Sequence, residues 1–506
     1  MDFGGQYCHL IARRVRENGV YSEIVANDIT AGDLEGLKSR LNVRGLILSG
    51  GPSSIYEDGA PKMDRQIVDS GIPILGICYG HQLLASYLGC NVVRAHKQEY
   101  GSSYANIKLR EGVLKDMSAK EDIWMSHGDT VLSVPNHIKV MATTENCPVA
   151  AFMHESLPIF GVQWHPEVVH TKHGDKILSA FIFDVCKCRP TWNAQKTVPK
   201  YVDDIKAAIG DSKAIIALSG GVDSSTAALL ASRAIGKNLT AVFVDNGLMR
   251  EGEAASIAAM AKNLNINLVS VDASKEFLGA LSGVSDPEQK RKIIGREFIR
   301  TFERVASGIN AQYLIQGTIY PDRIESGHSK KSSVIKTHHN VGGLPTEIKF
   351  KGIVEPLRDL YKDEVRKVAT SLGMPEEMVH RQPFPGPGLA VRVLGDVTVH
   401  KLDILRKADA IVTAELSKSE ANKRLWQYFA VFPGIKSTGV KGDSRAYGYV
   451  ITIRAVESRE AMTASFAELD WPLLRRISTL ITNQVPEIVR VTYDITDKPP
   501  GTIEWE

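Results

Sequence analysis

Short, uninterrupted apolar runs that end at glycine or at a polar turn recur along this chain. Residues 45–48, 72–77 and 159–163 form one set, and residues 215–218, 240–244 and 313–316 form a second. An apolar run without polar alternation marks a strand covered on both faces, and these runs are shorter than a buried helix. Helical patterning fills the intervals, most plainly in the Ala- and Leu-rich stretch 226–234 and near residues 202–209. Strands alternating with helices predict parallel α/β sheets. Farther on, a helix is expected near 401–416, strands near 447–454 and 488–494, and a helix between those strands, which reads as an α+β module.

Two stretches divide these sets. Arg189-Pro190-Thr191-Trp192-Asn193 reads as a linker, and Pro383-Phe384-Pro385-Gly386-Pro387-Gly388-Leu389 is a strong chain breaker. The expected organisation is an α/β domain over 1–188, a second α/β domain over 189–386, and the α+β module over 387–506.

The turns after two of the strands carry the chemistry. Residues 213–226 read Lys-Ala-Ile-Ile-Ala-Leu-Ser-Gly-Gly-Val-Asp-Ser-Ser-Thr. A tight turn between a strand and a helix N-terminus gathers backbone N–H groups at the positive end of the helix dipole, which makes a phosphate cradle. Gly220 and Gly221 permit close backbone approach, and Ser219, Ser224 and Ser225 supply hydroxyls. Asp223 is an acid where phosphates would sit, which makes sense if a divalent cation lies between them. A simple Ser/Gly helix cap would leave that acid unexplained. The Gly-Lys-Ser/Thr ending of a Walker loop is missing.

Gly76-Ile77-Cys78-Tyr79-Gly80 is a G-x-C-x-G elbow at the end of the run 72–77. Flanking glycines relieve crowding, so Cys78 can occupy the strained apex with a helix N-terminus favouring its thiolate. A nucleophilic cysteine needs a base and an orienting group. Trp164-His165-Pro166-Glu167 offers both, His165 to take the proton and Glu167 to hold the ring. Oxyanion donors are expected from the backbone of Tyr79 and of Gly50 or Gly51. The other five cysteines (Cys8, Cys90, Cys147, Cys186 and Cys188) read as small core residues.

Composition narrows the classes. With 61 Lys+Arg against 58 Asp+Glu over 506 residues, the chain as a whole is not a basic nucleic-acid binder. Irregularly spaced cysteines without a Cys-x-x-Cys pair argue against a zinc framework and fit a reducing, cytoplasmic setting. No run reaches membrane-spanning length, and no signal-peptide apolar region is seen at the start.

Asp2-Phe3-Gly4-Gly5-Gln6-Tyr7, Leu48-Ser49-Gly50-Gly51-Pro52, the Cys78 elbow, Ser126-His127-Gly128-Asp129 and Trp164-His165-Pro166-Glu167 resemble a class I glutamine amidotransferase. The Ser219–Ser224 loop resembles the ATP pyrophosphatase signature. Their union, with the tail Asp497-Lys498-Pro499-Pro500-Gly501-Thr502-Ile503-Glu504-Trp505-Glu506, resembles the glutamine-hydrolysing GMP synthase family over nearly the whole chain. The resemblance implies glutamine, ATP and xanthosine monophosphate (XMP) as substrates, Mg²⁺ as cofactor, and a homodimer formed by the C-terminal module. It implies a glutamine contact at Gln82 and an ATP-loop role for Val222 with its neighbours. It also implies XMP contacts at Arg291, Asp443, Lys498 and Glu504, and a lid over Ile335-Lys336-Thr337-His338-His339-Asn340. Neither a nucleic acid nor a membrane is implied as a partner. The family opens with an apolar strand before its Asp-Phe-Gly turn; here Met1 directly precedes that turn, so either that strand is absent from this sequence or another segment replaces it in the first sheet.

Three rivals share parts of this pattern. An NAD synthetase would use the same ATP loop, but its glutaminase half resembles a nitrilase and lacks the Cys-His-Glu elbow. A tRNA thiolase would be expected to show basic stripes or paired cysteines. A non-catalytic descendant should have lost Cys78, His165, Asp223 or the tail, and all are present.

Overall fold

The computed structural model describes residues 1–322, 350–458 and 463–506. The chain divides into two compact units, Met1–Asn193 and Ala194–Glu506.

The first unit is built on one sheet of seven strands: β1 (Leu46–Leu48), β2 (Ile74–Ile77), β3 (Asn91–Ile107), β4 (Lys120–Ser133), β5 (Ile138–Thr143), β6 (Ala151–His154) and β7 (Ile159–Val162). Their order is β1-β2-β7-β6-β5-β3-β4. The three apolar runs anticipated as strands are β1, β2 and β7, and they pair in parallel. The remaining strands continue the sheet antiparallel. The expectation of a parallel sheet is therefore corrected to a mixed one. The long β3–β4 ribbon escaped the apolar pattern because three inward positions of β4 carry Glu121, His127 and Asp129, all buried.

Alternate residues of β2 feed opposite cores. Leu75 and Ile77 pack with Trp164 and Phe181, while Ile74 packs with Leu48, Leu84 and Phe152. Beside β1, Ser49 N donates to Met1 O at 3.1 Å and Asp2 forms a parallel bridge with Ala26. Met1 and Phe3 thus line the flank of β1.

The second unit holds two sheets. The first has β8 (Ala214–Ala217), β9 (Leu239–Asp245), β10 (Leu268–Asp272), β11 (Tyr313–Ile315) and β12 (Gly352–Val354), in the order β10-β9-β8-β11-β12. Every pairing is parallel. The strand order reverses at β8, so the crevice beyond the carboxyl ends of β8 and β11 is where such a sheet takes a ligand.

The second sheet has β13 (Gln427–Val431), β14 (Lys436–Lys441), β15 (Ser444–Glu457), β16 (Ser465–Phe466) and β17 (Ile488–Tyr493). β15 is its spine and pairs with the other four. Helices Val399–Ser417 and Trp471–Gln484 supply Leu402, Leu405, Ile477 and Ile481 to its core. That core is continuous with Ile215 and Val242 of the parallel sheet. The breaker at 383–389 changes chain direction without ending the hydrophobic core.

Candidate active sites

β2 ends at Cys78, whose backbone lies at φ 54°, ψ −104°, and the helix Tyr79–Tyr87 starts at the next residue. Glycine is obligatory on both sides. A Cβ on Gly76 would lie 2.5 Å from Gly80 O, and one on Gly80 would lie 2.6 Å from Leu48 O. This close approach lets the helix sit directly on β1 and β2. The Cys78 thiol faces Ser126 O of β4 at 3.4 Å.

His165 follows β7, the strand next to β2, and its imidazole stands beside Cys78 across Gly50, near enough for the two groups to interact electrostatically. Its Nδ1 lies 2.7 Å from Glu167 Oε1, with both side chains almost fully buried. Burial alone would lower the imidazole. The Glu167 carboxylate, the neighbouring Cys78 and the hydrogen bond to Glu167 outweigh it, and the pKa is pushed up to about 10. The ring is also packed edge-on by Tyr7 at 5.2 Å, and the Thr171 hydroxyl anchors His165 O at 2.6 Å. Cys78, His165 and Glu167 therefore form a connected set.

Gly50 flanks this set: a Cβ there would come within 3.0 Å of His165 Cε1 and 3.5 Å of Cys78 Cβ. Gly51 packs between Phe3 O and the Tyr79 ring. Gln82, expected to face glutamine, has its amide nitrogen committed elsewhere. It donates to Asp129 O at 2.9 Å and to Gln163 Oε1 at 3.2 Å, bracing β4. A second buried pair joins β3 and β4, in which His127 Nε2 lies 3.2 Å from Glu99 Oε2, and no local sequence pattern marks it.

In the second unit β8 runs into Leu218-Ser219-Gly220-Gly221 and then the helix Val222–Ile235. Gly220 adopts φ 76°, which favours glycine, and Ser219, Gly221 and Ser224 close the turn through their hydroxyls and backbone. Val222 and Ser225 are buried, so they shape the helix start rather than line its opening. Gly317, at the end of β11, packs so near that a Cβ would lie 3.0 Å from Ser224 N. Asp223 Oδ2 is ion-paired with Lys362, and Asp223 Oδ1 is buried without a hydrogen-bond partner. Arg381 Nη1 donates to Gly220 O at 3.2 Å and its other nitrogen pairs with buried Glu253. Sequence reading missed Lys362 and Arg381, which lie over a hundred residues downstream. The anticipated lid at 335–340 lies outside the described residues.

The residues expected at an XMP site do not all meet. Arg291 donates to Glu506 O, and its neighbour Lys290, fully buried, pairs with the Glu506 carboxylate. Glu504 is gripped by Arg392 Nη2 and Nε, at 2.8 and 2.9 Å, and by Gln427 at 2.8 Å. Lys498 pairs through its backbone with Ala464. Asp443 sits in the β14–β15 turn at φ 59°. The tail is held farther along β15, where Arg454 donates to Thr496 O and Thr502 O. At ~3.3 Å per residue these points are roughly 35 Å apart along the strand. Within one chain, Asp443 does not join the other three.

The domain model "Glutamine amidotransferase class-I" matches residues 1–185, "NAD synthase" matches 193–318, and "GMP synthase C terminal domain" matches 414–505. The glutamine-hydrolysing GMP synthase of Caldicellulosiruptor saccharolyticus is 50% identical over 508 residues, spanning 100% of this chain and 98% of that protein. That of Ligilactobacillus salivarius is 48% identical over 510 residues, spanning 100% and 97%. That of Clostridium botulinum strain Kyoto is 50% identical over 508 residues, spanning 100% and 98%. With likeness along its whole length added to a Cys–His–Glu site and a Ser-Gly-Gly-x-Asp-Ser loop, the chain belongs to the glutamine-hydrolysing GMP synthase family.

Proposed function

We propose that the two sites divide the family's reaction as follows, the Cys78–His165–Glu167 contact being the observation that carries the reading. The enzyme makes GMP from XMP, using glutamine for nitrogen and ATP for activation. Cys78 thiolate attacks the side-chain carbonyl carbon of glutamine. His165, having taken the thiol proton, donates it to the departing nitrogen, and ammonia leaves as a thioester forms. The same imidazole then takes a proton from water, which hydrolyses the thioester to glutamate. Glu167 holds the ring and stabilises its charge. Backbone N–H groups at Tyr79 and at Gly50 or Gly51 serve the oxyanion.

In the second unit the C2 oxygen of XMP attacks the α-phosphorus of ATP, and pyrophosphate leaves. The oxygen, now adenylylated, departs as AMP when ammonia adds at C2. Ser219, Gly220, Gly221 and Ser224 hold the pyrophosphate, with Lys362 as a further cation beside them. The unpartnered Asp223 oxygen suits a hard cation, and no cluster of three or more metal-ligating side chains is found among the described residues. Asp223 would thus hold Mg²⁺ together with phosphate oxygens, where the ion neutralises charge on the leaving group. Arg291, Lys498 and Glu504 mark the XMP side, with Glu504 acting through its grip on Arg392.

The finer organisation belongs to the same proposal: an amidotransferase domain over 1–188, a pyrophosphatase domain over 189–386 and a C-terminal module over 387–506. The module forms a homodimer, which is how Asp443 reaches a substrate site. Val440 and Tyr447, exposed by 77% and 71% on its β14–β15 hairpin, are large apolar side chains that a partner would cover. Six free thiols fit a cytoplasmic enzyme.

Four outcomes are expected. Cys78→Ala lowers glutamine-dependent GMP formation by at least about a thousandfold while ammonia-dependent formation stays within about twofold; steady-state assays with each nitrogen donor decide it, and equal loss of both would refute the division. Asp223→Ala abolishes XMP-dependent pyrophosphate release, yet glutamine hydrolysis persists in part. The raised His165 pKa gives a stabilisation that is complete below about 6.5, the unfolded value, and is lost as pH rises through about 10. The stability difference between the native enzyme and Glu167→Gln, read from urea unfolding, should therefore shrink between pH 7 and 10. Val440→Glu should convert a dimer to a monomer in light scattering, and an unchanged mass would remove the hairpin from the interface.

A further inference from the structure

Six charged side chains of the second unit stand in an alternating row. Arg381 reaches the phosphate loop at Gly220 O and pairs with Glu253. The other Glu253 oxygen accepts from Arg250 N at 3.1 Å. Arg250 Nε lies 3.0 Å from Asp409 Oδ2, and Arg392 Nη1 lies 3.8 Å from Asp409 Oδ1. Arg392 then forks onto Glu504 in the tail. The middle of the row is the driest part: Glu253, Asp409 and Arg392 are buried, and the Arg250 side chain is 12% exposed.

Buried charges are costly unless each has a partner, and removing one strands the next. Each charge in this row faces a neighbour of opposite sign, directly except between Glu253 and Arg250, where the carboxylate is held by the Arg250 backbone N–H, so a shift at either end disturbs the balance along the row. Burial pulls the Arg250 guanidinium down while Asp409 and Glu253 oppose it, and Arg392 and Arg381 push it lower. One side chain thus senses both ends.

Two further features give the row mechanical weight. Phe384, in the chain breaker, lies between the two central guanidinium groups, 5.0 Å from Arg250 and 5.3 Å from Arg392. The row therefore also pins the connection from the parallel sheet to the C-terminal sheet. Arg250 Nε and Nη2 and Arg392 Nη1 are buried donors without hydrogen-bond partners, so Arg250 meets Asp409 as an ion pair alone. The row is not saturated, and spare donors permit a second arrangement.

We propose that Arg250, Asp409 and Arg392 are positioning residues that couple occupancy of the phosphate loop to placement of the Glu504 tail, so that ATP and XMP tighten each other's binding. The inference rests on the assignment of ATP to the loop and XMP to the tail. Coupling between sites is reciprocal and is measured as the ratio of affinities with and without the other ligand.

The experiment measures XMP affinity of the full-length enzyme by calorimetry, with and without Mg²⁺ and the non-hydrolysable analogue α,β-methylene-ATP. For the native chain the analogue should tighten XMP by at least about fivefold, the lower end of common coupling factors. In Asp409→Asn, which keeps the shape and the acceptor for Ala430 N, that factor should fall below about twofold. The analogue's own affinity should stay within about twofold, a split that mere structural damage would not produce. A native coupling factor in a variant whose melting curve is unchanged overturns the proposal, as does a native enzyme that binds both ligands independently. If Asp409→Asn melts early, Arg250→Lys replaces it, keeping the charge but losing the reach to Asp409, with the same two outcomes. A native enzyme that binds neither nucleotide would instead refute the substrate assignment, a result distinct from uncoupled binding.

Discussion

The left-handed backbone at Cys78 is the constraint on which the first unit turns. A non-glycine residue at φ 54° costs on the order of 1–3 kcal/mol, and it persists only where its surroundings over-determine it. Here Cys78 N donates to Val162 O of β7 at 2.9 Å, and Cys78 O accepts from Gln82 N at 3.1 Å in the following helix. The glycines at 76 and 80 allow the helix to come down onto the sheet and lock that geometry. The result is a thiol raised at the carboxyl edge of three parallel strands. β7 delivers His165 at that same edge, and β4 adds the Ser126 carbonyl. Strain in one residue and parallel registry of its neighbours are enough to bring the Cys78 thiol and the His165 imidazole to one edge of the sheet.

The second unit fixes its geometry with charge rather than strain. Lys290, Arg392 and Arg454 are each fully buried. Their partners come largely from the tail: Glu506 for Lys290, Glu504 for Arg392, and Asp494, Thr496 O and Thr502 O for Arg454. Lys290 also donates to Val393 O at 2.7 Å. A buried cation deprived of its counter-charge destabilises a fold by several kcal/mol, about 3–5 when one partner of a pair is removed. Residues 494–506 are therefore part of the core electrostatics of this unit. A substrate contact built from them inherits that rigidity.

The parts legible in the sequence are those where one local pattern carries the whole message. The strands β1, β2, β7, β8, β9 and β11 announce themselves as apolar runs, and the Cys78 elbow and the Ser219–Ser224 loop as turns after them. The β3–β4 ribbon was hidden because its inward side carries Glu121, His127 and Asp129, whose burial is stabilised by partners such as Glu99 rather than by apolarity. Arg250, Asp409 and Lys362 look like ordinary solvated charges on helices and turns until the chain brings their partners from far away. The chain breaker at 383–389 is legible as a change of direction, but composition does not say which apolar surfaces merge, and the core runs on past it. Asp443 shows the same limit, since a motif names a residue without saying which end of a strand it will occupy.

The pairing of Lys362 with Asp223 explains why an anion-binding loop can carry an acid at all. Asp223 occupies the first turn of the helix Val222–Ile235, where the dipole favours a negative charge. That same charge would repel a polyphosphate approaching the backbone at Gly220 and Gly221. One Asp223 oxygen is neutralised by Lys362, and the other is buried with no donor. On the proposed assignment the loop would suit a ligand that brings its own cation, which would supply the partner that the second Asp223 oxygen lacks. In that assignment the acid would make the cradle discriminate by the ligand's net charge.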